Sequence, residues 1–86
     1  MRLDRFLSVA KIFKSRSLAA EAISSAMVYI DNAPAKSAKE IKLGAIIEID
    51  TPRFYKKIEV VSLPTGNISR KEASSLYVVR EERDKD

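Results

Sequence analysis

The apolar residues of this chain change their period partway along it, and that change limits the folds open to it. Leu3, Phe6, Leu7 and Ala10 recur at i, i+3, i+4 and i+7, which marks one face of an α-helix. Leu18, Ala19, Ala22, Ile23 and Ala26 make a second helical stripe, narrow and rich in alanine, which lets two helices approach closely. From Met27 the period drops to two. "MVYID" puts Val28 and Ile30 on one face and Met27 and Tyr29 on the other. "AIIEID" reads as a second strand, and "FYKKIEVVSL" as a third with Ile58 and Val60 on one face. Two helices followed by strands predict an α+β fold in one small domain. Its N-terminal helix pair packs on a small, mainly antiparallel sheet.

The connections follow from turn chemistry. "KIFKSRS" breaks the helical pattern and links the two helices, with Ser17 as the expected N-cap of the second. Asp31-Asn32-Ala33-Pro34 and Thr51-Pro52-Arg53 are turn sequences, as is Pro64-Thr65-Gly66-Asn67. Ser69-Arg70-Lys71-Glu72 matches a capping box, predicting a short helix through about Leu76. "YVV" adds a last strand, so the domain is expected over residues 1–80, with a polar tail at 81–86 that frays.

Charge narrows the function. Of the 86 residues, 1–43 hold eight basic and four acidic side chains, while 44–86 hold eight of each, so the net charge of +4 belongs to the N-terminal half. Arg2, Arg5, Lys11, Lys14 and Arg16 stand against the single acid Asp4 over the first sixteen positions. Asp4 itself is expected to cap the first helix or pair with an arginine. A basic helix–corner–helix on a neutral body suits phosphate, because guanidinium forks match phosphate oxygens and lysines add charge. Lys36, Lys39 and Lys42 lie in the loop before Gly44, where Glu40 interrupts the run. Tyr29, Phe54, Tyr55 and Tyr77 read as core or edge cover before they read as base-stacking platforms. The second helix offers only Glu21, Ser24 and Ser25 as polar positions, a poor set for major-groove readout. Shape and phosphate recognition of structured RNA fits better.

Other classes are disfavoured. The chain has no cysteine and no histidine, so the commonest acid–base, nucleophilic and metal-ligating groups are missing. Its two glycines, Gly44 and Gly66, are too few for a Gly-rich phosphate cradle. We therefore expect no catalysis, cofactor or metal. No apolar run reaches the ~18–20 residues of a membrane span. Charges at Arg2, Asp4 and Arg5 replace a signal core, which predicts a cytoplasmic protein without membrane contact.

"MRLDRFLSVAKIFKSRSLAAEAI", the strand and turn after it, and "KSAKEIKLGAIIEI" together resemble the S-four (alpha-L) RNA-binding domain family. The chain's length and the tail "SRKEASSLYVVREE" resemble its short heat-shock-fifteen-like subfamily of ribosome quality-control factors. The resemblance implies an αα corner on a twisted sheet, with RNA lying across the helices. It implies binding to a large ribosomal subunit obstructed by peptidyl-tRNA, with contacts to ribosomal RNA and to that tRNA. It also implies support for C-terminal tailing of the stalled chain, beside the tailing factor of the same pathway, by a protein monomeric off the ribosome. Another structured RNA or an acidic protein are the alternative partners. The family's first-helix arginine falls on Arg2 and its corner arginine on Arg16. Arg5, Lys11 and Lys14 match basic positions more loosely, and Lys36 matches the loop lysine. Ala26-Met27 stand where the family has Gly and a basic or polar residue, Asp31-Asn32 where it has Asn-Gly, and Ala45 where it has Asp.

Overall fold

The structure, a computed structural model, describes residues 1–64 and 69–85. Among them, helices α1 (Leu3–Val9) and α2 (Arg16–Ser24) precede strands β1 (Val28–Ile30), β2 (Ala33–Pro34), β3 (Ile46–Asp50) and β4 (Phe54–Val60). A short helix α3 (Arg70–Ala73) runs into a 3-10 turn (Ser74–Leu76) and then strand β5 (Tyr77–Asp84). The strands form one antiparallel sheet in the order β2-β1-β3-β4-β5. No helix among the described residues is long and apolar enough to cross a membrane.

One core joins the helices to the sheet. Leu3, Phe6, Leu7 and Ala10 of the first stripe, and Ala19, Ala22 and Ile23 of the second, pack with Val28, Ile30, Ile47, Ile49, Ile58 and Val60. Alternation along β3 decides which side faces in, since Ile47 and Ile49 are buried while Ile46 and Glu48 are half-buried. Leu18 and Ala26 depart from the expected stripe and are exposed. The buried positions of α2 are Ala19, Ala22 and Ile23, and Leu18 lies one residue, about 100° of helix, off that line.

Both helices end in the Schellman arrangement without glycine. The Ile12 and Lys11 N–H groups donate to the Leu7 and Ser8 carbonyls at the end of α1. The Met27 and Ala26 N–H groups donate to the Ala22 and Ile23 carbonyls at the end of α2. The positions at left-handed φ are Lys11 (62°) and Ala26 (61°). An L-residue is strained there and glycine is not, so Ala26→Gly is expected to stabilise the fold by about 0.5–1 kcal/mol. Thermal melting checks this, at about 4–8 °C per kcal/mol for a domain of this size. An unchanged or lower Tm refutes it.

The helix link runs over residues 10–15, and its cap differs from the expected one. Ser15, not Ser17, caps α2, accepting the Leu18 N–H at 3.1 Å. Arg16 thereby becomes the first residue of the helix. The Asp31-Asn32 turn forms without glycine, with positive φ at both residues (49° and 70°), the pattern of a type I′ hairpin. Thr51 closes its turn with its own side chain, accepting the Arg53 and Phe54 N–H groups. Ser69 accepts the Glu72 N–H as the expected cap. The Pro64–Asn67 turn lies largely outside the described residues.

The C-terminus departs most from expectation. Residues 80–84 do not fray but continue β5 to Asp84, while β4 stops at Val60 and leaves Val61–Leu63 outside the strand. Cross-strand chemistry accounts for the extension. Lys56 pairs with Glu82 at 3.1 Å, Arg80 with Glu59 and Lys85 with Asp50, and the Arg83 guanidinium lies 4.6 Å from the Tyr55 ring centre. The register shifts between Lys57 and Ile58, which pair with Glu81 and Val79, so Arg80 is the extra residue of a bulge in β5 itself.

Candidate nucleic-acid interface

The loop after the hairpin, not α1 itself, sets the start of α1. The first N–H groups of a helix have no partner within it. Here the Leu3 N–H donates to the Lys39 carbonyl at 2.8 Å and the Asp4 N–H to the Ser37 carbonyl at 3.3 Å. The Arg2 and Glu40 backbones pair in an isolated antiparallel bridge, and the Ile41 N–H donates to the Met1 carbonyl. Lys36 thus lies one residue from a loop segment bonded to the first turn of α1.

Asp4 joins the two ends of the helix pair. It is a buried carboxylate, 4% exposed. Its Oδ2 lies 3.2 Å from an Arg2 Nη and 3.3 Å from Arg16 Nε, and its Oδ1 accepts the Arg5 N–H at 2.8 Å. Burial alone raises the pKa of this carboxyl. The ion pair with Arg16, the Arg5 N–H and the charge of Arg2 outweigh burial and hold it below the usual carboxylate range. Both guanidiniums remain half exposed, with donors left over for an outside anion.

The remaining sequence-predicted residues surround this pair without joining it. Arg5 projects from α1, Lys11 sits at the left-handed position after it, Lys14 lies in the link, and Lys36 in the hairpin-to-β3 loop. All four are exposed and make no ion pair among the described residues. On and beside the sheet Lys56, Arg80, Arg83 and Lys85 each meet a carboxylate, while Lys57 of β4 meets none among the described residues. At the corner Arg2 and Arg16 share the one carboxylate of Asp4, and Arg5, Lys11 and Lys14 meet none among the described residues.

Phe13 of the helix link is partly buried against the core. Phe54 and Tyr77 pack against the core. Tyr55 donates to Glu48 at 2.6 Å, and that bond, with burial and the Glu48 charge, pushes its hydroxyl up to about 12. The tie between Asp4 and both arginines went beyond the sequence reading. An acid beside one arginine was visible in "RLDR", but only the folded corner brings Arg16 to it.

A family model described as the S4 domain matches residues 1–47. The chain is 33% identical to the RQC P-site tRNA stabilizing factor of Halalkalibacterium halodurans, over 95% of this chain and 92% of that protein. It is 32% identical to the heat shock protein 15 homolog of Haemophilus influenzae over 90% of its length, and spans 59% of that relative. The trimeric structure of Vibrio cholerae heat shock protein 15 superposes with a TM-score of 0.84 at 29% identity. That match covers 92% of this chain and 80% of the other.

Proposed function

Because the chain belongs to the S4-domain family, we propose that it is an RNA-binding adaptor of ribosome-associated quality control. It binds the large ribosomal subunit obstructed by peptidyl-tRNA, with Arg2 and Arg16 as the central phosphate contacts and Arg5, Lys11, Lys14 and Lys36 around them. It engages both ribosomal RNA and the tRNA, and supports C-terminal tailing of the stalled chain beside the tailing factor on the same subunit. Away from the ribosome it is a cytoplasmic monomer. The observation that carries this reading is the excess of positive charge at the corner, where five basic side chains surround the one carboxylate of Asp4. The names of the full-length relatives support the ribosomal setting.

Sedimentation with purified large subunits, with and without bound peptidyl-tRNA, tests it. The protein is expected to travel with the obstructed subunit and to be released by nuclease. Each phosphate neutralised adds about −0.7 to −0.9 to the slope of log affinity against log salt, so two to five corner contacts give roughly −1.4 to −4.5. A flat salt response, or partners that survive nuclease, would refute RNA and point to an acidic protein instead.

A further inference from the structure

An RNA-binding corner built only for attraction would not bury a carboxylate between its two central arginines. Asp4 removes one unit of positive charge from where a phosphate would sit, and so weakens the pull on any polyanion. In return it fixes geometry. Its Oδ2 meets both guanidiniums at 3.2 and 3.3 Å, and its Oδ1 is held by the Arg5 N–H at 2.8 Å. With both oxygens engaged and 4% exposure, the carboxylate has no other arrangement to adopt. Two long, rotamer-rich side chains are therefore ordered before any ligand arrives, which lowers the ordering cost at binding.

We infer that Asp4 is a specificity-determining positioning residue, clasping Arg2 and Arg16 so that the corner selects structured RNA over flexible single strands. The inference rests on the RNA-binding reading above. Folded RNA presents phosphates at set spacings, so a fixed pair of forks gains from matching them. A flexible strand adapts to any arrangement of cations. It gains nothing from the clasp and still loses attraction to the Asp4 charge.

Asp4→Asn separates the two effects, since asparagine keeps the shape and the acceptor for the Arg5 N–H while removing the charge. The probes are a stem-loop RNA and an oligouridine of equal phosphate number, titrated over a range of salt, with the melting temperature of each variant recorded. Asp4→Asn is expected to lower the ratio of stem-loop to oligouridine affinity by about tenfold, the effect of losing one charge-assisted contact. Its oligouridine affinity should hold or rise, with a salt slope steeper by up to about 0.7. Arg16→Lys keeps the charge, loses the planar fork and leaves the core untouched, so it should lower the same ratio, and it carries the test if Asp4→Asn melts below the assay temperature.

An unchanged ratio in either folded variant overturns the inference. So does a parallel loss on both RNAs that tracks the melting temperature, which marks a merely structural role. A wild-type protein that binds both RNAs equally overturns it while leaving the RNA-binding reading standing. A wild-type protein that binds neither removes that reading and this inference together.

Discussion

Phe6→Ala is expected to cost about 3–5 kcal/mol, the range for deleting a buried aromatic side chain. Phe6 heads the fully buried side chains by volume and is 0% exposed. It sits on α1 in the cluster that includes both helices and the strands they cover. Alanine leaves a hole there that the surrounding elements can only partly close. A chain of 86 residues has a stability of about 4–13 kcal/mol, so the substitution removes from about a quarter of it to all of it. Urea unfolding measures it: the midpoint falls while the slope with denaturant stays constant if the native surface is unchanged. Phe6→Leu leaves a smaller void and should lose markedly less. An unchanged midpoint in Phe6→Ala would mean that the core does not depend on α1 docking as described.

The second large effect is expected at the corner. A hydrogen bond to a charged group is worth about 1.5–3 kcal/mol, so losing Arg2 and Arg16 together should weaken RNA binding by two orders of magnitude or more. The structure dictates how this must be done. Removing both arginines strips a buried Asp4 carboxylate of its cationic partners, and a buried charge left unpaired destabilises the protein by itself. Arg2→Ala and Arg16→Ala therefore belong in an Asp4→Asn background, with Asp4→Asn alone as the reference. In that background the shared carboxylate is gone, so the single replacements should sum to the double more nearly than they do with Asp4 intact. Titration with large-subunit RNA at fixed salt reads the result. Undiminished binding by a triple variant that melts like the reference would remove Arg2 and Arg16 from the interface.

What could be read from the sequence was local. Each helical stripe and each run of alternation spans only a few turns or residues, and the core follows from them. The Asp31-Asn32 turn was legible for the same reason, since both residue types tolerate left-handed backbone. Three features required contacts between distant segments. The N-terminal turn of α1 is finished by the carbonyls of Ser37 and Lys39, which no pattern near Leu3 announces. Ser15 and Ser17 have equal intrinsic fitness as caps, and the reversal of the chain at Lys11 accompanies the choice of Ser15. "REERD" has poor strand propensity, yet it is recruited by the complementary charges of β3 and β4 opposite and beside it. At the candidate site the arginines were legible as charges, and the way one carboxylate holds two of them was not.

The late extension of β5 bears on solubility. β5 is the last strand in the sheet order, and its outer row of backbone donors and acceptors faces no further strand among the described residues. Such an edge can template another chain and seed aggregates. Arg80, Glu81, Glu82, Arg83 and Asp84 place charge at every position of its second half, so an incoming strand would have to bury or confront them. The residues that look like a frayed tail in the sequence serve as a guard rail, leaving only the Val78–Val79 end open to unwanted pairing.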